Sequence, residues 1–151
     1  MSNREEREIV IERILDAPRE LVWEAWTQPE HLIKWWGPNG FTNTFKQFEF
    51  KVGGIWDFTM HGPDGTDYPN YIVFTEIVKP EKLAFNHGED ESKPDSFKAV
   101  VEMKELDGKT RVILKSLFPT VEARANAVEK YGAIEGGKQT LGRLAEQLKK
   151  M

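Results

Sequence analysis

The sequence predicts an α+β domain. An antiparallel sheet of six or seven strands curves around a long C-terminal helix, and two short helices follow the first strand. Three features carry that prediction. Across residues 134–148, Ile134, Gly137, Leu141, Leu144 and Leu148 recur at steps of three and four, so one stripe of a helix is apolar while Glu135, Lys138, Gln139, Arg143 and Glu146 lie opposite or beside it. Between residues 41 and 118 the apolar period is two, in runs separated by Gly53-Gly54, Gly62-Pro63-Asp64-Gly65, Pro80-Glu81 and Asp107-Gly108, as in consecutive hairpins. Pro18 and Pro29 each stand at the start of a short helical pattern. A striped helix needs a covering surface, and a chain built mainly of strands supplies one face of a sheet.

In order, residues 1–7 are charged and expected to fray. Residues 8–16 are rich in β-branched side chains, with Ile9 and Ile11 on one face of a strand and Val10 and Ile14 on the other. Arg13 shares the face of Ile9 and Ile11, where a stem laid over the sheet with its head in water is the expected role. Leu21, Val22, Ala25 and Trp26 form one face of the first short helix. The second covers residues 31–36 and stops at Gly37-Pro38, which leaves Trp35 and Trp36 either to plug the core or to rim a cavity.

The strands follow by alternation. Phe48 and Phe50 share a face and Phe45 stands apart; Trp56, Phe58 and Met60 oppose Asp57, Thr59 and His61. Ile72, Phe74 and Glu76 oppose Tyr71, Val73 and Ile77, and Leu83, Phe85 and His87 alternate next. After the polar segment 88–95, expected to be a mobile entrance flap, come Phe97, Ala99, Val101 and Met103, then Val112, Leu114 and Ser116. Val121, Ala125 and Val128 make a helical stripe out of phase with the one beyond it. A break is therefore predicted near Tyr131-Gly132.

Composition narrows the function. A chain of 151 residues suits one domain with a real core. Cysteine is absent, so no disulfide or thiolate site exists, and without a signal-peptide pattern a cytoplasmic location is expected. No apolar run approaches membrane-spanning length. A net charge of −4 argues against nonspecific nucleic-acid binding. His31, His61 and His87 fall on separate elements without ligand spacing, so no metal or other cofactor is expected. No GxSxG motif occurs, and Gly136-Gly137-Lys138 lacks the spacing and context of a phosphate loop, so no catalytic residue is assigned. Nine Phe, five Trp and three Tyr point to a large apolar interior or an aromatic-lined hollow.

Four stretches, DAPRELVWEAWTQPEHLIKWWGP, VGGIWDF, EIVKPEKLAF and YGAIEGGKQTLGRLAEQL, together resemble the activator of heat-shock-protein-90 ATPase homologue-like family, within the START and birch-pollen-allergen-like helix-grip superfamily (SRPBCC). The resemblance runs from about Ile9 to Leu148. It implies a helix gripped by the sheet around a cavity that different members use for different small molecules. It also implies tryptophan after Gly136, where this chain has Gly137. A chaperone partner is the alternative the family title suggests. It is disfavoured because the motif implied for chaperone stimulation lies in a separate N-terminal domain, for which 151 residues leave no room.

The expected function is a binding module for a small hydrophobic or aromatic molecule. The candidate lining is Trp36, Trp56, Phe58, Met60, Phe74, Glu76, Phe85, His87, Phe97, Val101, Val112, Leu114, Ile134, Gly137 and Leu141. Glu76, His87 and Ser116 are the few polar groups on the same strand faces. Glu76 is expected to bond the strand end or Arg13, and His87 to be solvated. An enzyme of cyclase or dehydratase type, with Glu76 or His87 moving protons, is the alternative. At Gly137 the absent side chain leaves space that either the ligand or the bulk of Trp56 or Phe74 fills.

Overall fold

Proline sets where the first helices begin. In a computed structural model, which describes residues 4–151, Pro18 precedes α2 (Arg19–Thr27) and Pro29 opens α3 (Pro29–Trp35), where a missing N–H costs nothing. Before them lie a helical turn, α1 (Arg4–Arg7), and the first strand, β1 (Glu8–Leu15). The fraying expected of residues 1–3 lies outside the described residues. Six strands follow: β2 (Thr42–Phe48), β3 (Ile55–His61), β4 (Asp67–Val78), β5 (Lys82–Gly88), β6 (Phe97–Leu106) and β7 (Lys109–Leu117). They form one antiparallel sheet in the order β1-β7-β6-β5-β4-β3-β2. Helices α4 (Val121–Tyr131) and α5 (Ala133–Leu148) close the chain. Between them Gly132 takes a left-handed conformation, φ 60°, which glycine adopts without steric cost; this is the break that the phase shift predicts.

Two bulges change which side chains face the helix. In β2, Phe45 pairs with Phe58 but Gln47 pairs with Asp57, so Lys46 is an extra residue. Phe45 and Phe48 thus share the inward face although three apart, and their rings stack at 6.0 Å. In β4, Phe74 pairs with Phe85 but Glu76 pairs with Ala84, which makes Thr75 the extra residue. Beyond it Ile77 turns inward against the core and Glu76 turns outward. The expectation that Glu76 lines the interior is corrected accordingly: its carboxylate bonds Lys82 at 2.9 Å on the outer face, with its side chain 47% exposed, and Arg13 is not its partner.

The core lies between the inward sheet face and α2, α3 and α5. Trp26, Trp35, Trp36 and Trp56 meet edge to face at 4.8–5.7 Å, and the Trp35 indole donates to the Ala25 carbonyl at 3.0 Å. Of the two roles open to Trp36, the structure gives it the plug. Leu141, Leu144 and Leu148 cover these rings and the strands beneath.

The glycines of α5 face close neighbours. A Cβ on Gly137 would collide with Ile11 Cδ1 of β1, one on Gly136 would meet Pro38 Cγ at 3.4 Å, and one on Gly142 would meet Arg13 Nη1 at 3.6 Å. The helix therefore rests directly on β1. Gly137 is neither a cavity position nor one filled by Trp56 or Phe74; Ile11 occupies the space, which corrects both alternatives.

Candidate functional site

Burial along the inward sheet face is uneven, and the change is directional. Trp56, Phe58, Ile72, Phe74, Phe85, Val101 and Val112 are between 0% and 4% exposed, and Leu141 and Leu144 of α5 lie among the same buried set. Toward the other end of the same faces, Met60, Asn70, His87, Phe97, Leu114 and Ser116 are half-buried, while Ile9 and Phe118 beside them stay buried. Ile134, on the first turn of α5, is half-buried as well. Ring packing seals the first half, where Trp56 and Phe58 stack at 4.1 Å. The second half mixes apolar side chains with Asn70, His87 and Ser116 and is not sealed.

His87 sits at the boundary. Its ring lies 4.7 Å from that of Phe97, 6.3 Å from Phe85 and 6.4 Å from Phe58. Desolvation pushes its pKa down to about 4, since burial among rings penalises the charged imidazolium. The solvated histidine expected from sequence is thus a desolvated one. Its Nε2 bonds Asn70 Oδ1 at 2.7 Å, and Asn70 Nδ2 donates to the Tyr68 carbonyl at 2.9 Å. Sequence reasoning overlooked Asn70, although it stands two residues before Ile72 on the same face.

The model for activator of Hsp90 ATPase homolog 1-like proteins matches residues 16–149. The chain belongs to that family. A solution structure of a protein from Arthrobacter aurescens shares 30% identity, with TM-score 0.87, over 100% of this chain and 91% of the other. A crystal structure from Nitrosomonas europaea shares 27% identity, TM-score 0.85, over 96% of both chains. One from Mycobacterium smegmatis shares 26% identity, TM-score 0.87, over 99% of this chain and 95% of the other. No curated protein matches. These three structures share the helix-grip architecture of the sheet and α5 described above.

In this activator-like domain the loop beside the half-buried end is held by a residue that sequence reasoning left on the polar face. Arg143 Nη1 donates to the carbonyls of Trp36, Gly37 and Pro38 at 3.2, 3.0 and 2.9 Å, and Nη2 to those of Lys34 and Phe41 at 3.2 and 3.0 Å. Partial burial lowers its pKa, but five carbonyl dipoles face its charge. Asn43 Nδ2 adds a bond to the Trp36 carbonyl at 2.9 Å. The loop so fixed borders the half-buried residues: Gly37 lies against Met60, and the Asn39 N–H bonds Gln139 of α5 at 3.1 Å. Helical periodicity could only mark Arg143 as polar; a Gly/Pro loop with spare carbonyls is the local signal for a guanidinium partner.

The segment expected to be an entrance flap is tied to itself. Asp90 Oδ1 accepts from the Ser92 hydroxyl at 2.5 Å and from the N–H groups of Ser92 and Lys93 at 2.8 and 3.1 Å, bonds that draw its pKa down. A Cβ on Gly88 would collide with the Lys93 and Pro94 backbone, so the turn folds onto the end of β5. Two grooves at the turn ends of the sheet have volumes of about 410 and 370 Å³. Charged groups rim both, Arg19, Lys82 and Glu102 in one and Glu12 and Arg111 in the other, and no candidate lining residue borders either. On the outer face His61 bonds Asp67 and Thr44, each at 2.7 Å, in the order of an acid–base–nucleophile chain. With the Asp67 side chain 65% exposed, water competes for these bonds.

Proposed function

We propose that this domain binds a small apolar or amphipathic molecule between the sheet and the N-terminal half of α5. The observation that supports this reading is the uneven burial: Met60, Phe97, Leu114 and Ile134 face inward yet stay half-buried, while Trp56, Phe58, Phe74 and Val101 are sealed. Apolar groups lining an unsealed concavity gain by covering it, and a ligand is the cover. The sealed half and the loop clamped by Arg143 supply rigid walls, which limits the ordering cost of binding. The cyclase or dehydratase alternative loses Glu76 to the outer face. It retains only His87, whose ring stays neutral down to about pH 4.

The neutral fluorophore N-phenyl-1-naphthylamine tests the reading. Its emission should rise with one-site saturation, and the melting temperature should climb as linkage requires, by about 2.7 kcal/mol of added stability at a hundredfold excess over Kd. A panel of neutral aromatic probes that changes neither signal would remove the binding-module reading.

A further inference from the structure

We infer that the ligand of this site is a neutral ring-bearing molecule with one hydroxyl or N–H donor, and that Nδ1 of His87 accepts its hydrogen bond. The inference rests on the binding reading above and adds the chemistry of the occupant. It follows from the order in which the hydrogen bonds determine one another. The Tyr68 carbonyl can only accept, so the Asn70 group facing it at 2.9 Å is the NH₂. That turns Asn70 Oδ1, an acceptor only, toward His87 at 2.7 Å. Nε2 must then carry the ring proton.

A neutral imidazole protonated at Nε2 has a bare Nδ1, which can accept but not donate. The ring is neutral because its surroundings are aromatic: burial among Phe58, Phe85 and Phe97 depresses its pKa to about 4. Nδ1 has no partner among the described residues. It also differs from the indole nitrogens of Trp26 and Trp56, which are sealed without partners. His87 is half-buried and belongs to the unsealed part of the inward face. A lone acceptor among aromatic rings selects against as well as for. A phenol, an alcohol or an aryl amine satisfies it, a hydrocarbon or ether leaves it unpaired, and a carboxylate sets charge against its lone pair.

Three probes of one ring system separate the outcomes at pH 7: 1-naphthol, its methyl ether and 1-naphthoate. The expected order is naphthol about tenfold tighter than the ether, the net worth of one hydrogen bond, with naphthoate weakest. His87→Phe should abolish the preference of naphthol over the ether while both still bind. On the wild-type chain, ¹⁵N spectra of the histidine ring should show a protonated Nε2 and an unprotonated Nδ1 whose signal moves with naphthol and not with the ether. This second readout needs no variant. Equal affinities for naphthol and ether with Nδ1 unmoved would overturn the donor inference and leave the hollow standing. Failure of naphthol and ether alike to bind would remove the hollow itself, and the inference with it.

Discussion

Gly137→Ala puts one methyl group where the structure leaves no room, and its cost can be worked out. The new Cβ would collide with Ile11 Cδ1 but would lie 3.6 Å from Ile11 Cγ1, an ordinary contact. Only the terminal methyl of Ile11 obstructs it. Ile11 is 7% exposed and cannot swing out freely, so relief requires an off-rotamer side chain or a shift of β1 away from α5. Overpacking of this kind costs about 1–3 kcal/mol, against a gain of about 0.5–1 kcal/mol from replacing a helical glycine. The net expectation is a loss of roughly 0–2.5 kcal/mol.

Ile11→Val deletes the obstructing methyl and alone costs about 0.5–1.5 kcal/mol. In the double variant the clash is gone and the helix gain is kept, so stability should exceed the sum of the single effects by the overpacking cost, about 1–3 kcal/mol. Urea unfolding of the four proteins, with midpoints and slopes fitted together, supplies the cycle. Additive effects, or a Gly137→Ala protein more stable than wild type, would refute the close contact of α5 with β1 and reopen that position as empty space.

Three further expectations follow from named contacts. Arg143→Ala removes a donor shared by five carbonyls, of which those of Trp36 and Pro38 keep a second partner in Asn43 and Phe41, and should cost about 2–3 kcal/mol in thermal or urea unfolding; Arg143→Lys, with three donors on a compact ammonium, should recover less than half of that. His87 is held neutral when folded, so below about pH 6.5 the unfolded chain takes up a proton that the folded ring refuses. Stability should therefore fall by roughly 3 kcal/mol from this group as pH drops from 6.5 to about 4, level off below, and lose this component in His87→Leu, as unfolding curves at stepped pH will show. Glu76→Gln breaks one half-exposed ion pair with Lys82 and should change stability by about 1 kcal/mol or less, with probe affinity unmoved; lost binding at wild-type stability would place Glu76 in the site after all.

Periodicity carried the fold because both of its periods were clean over long runs. The stripe of Leu141, Leu144 and Leu148, the alternation of Trp56, Phe58 and Met60, and the phase break at Gly132 each depend on backbone geometry alone. Parity failed where a single inserted residue reverses it. Lys46 and Thr75 are ordinary strand residues in sequence, and only the register of the neighbouring strand shows that they bulge, which is why Phe45 was set apart and Glu76 was assigned to the wrong face. The environment of His87 was hidden for a related reason. A strand-end histidine beside a polar segment reads as wet, whereas strand pairing brings Phe58 of β3 and Phe97 of β6 to it beside Phe85 of its own strand. Gly137 was legible as a gap, but its occupant belongs to the first strand, more than a hundred residues earlier.

The central claim, an unsealed apolar hollow at one end of the inward face, is tested most directly by methyl-detected NMR of the protein titrated with N-phenyl-1-naphthylamine. The methyl signals of Met60, Leu114 and Ile134 should move together and saturate with a single Kd, while those of Val101, Leu141 and Leu144 in the sealed half stay in place. Shifts confined to residues of the charged grooves, such as Met103 or Ile14, or no saturable shift at Met60, Leu114 and Ile134, would contradict it.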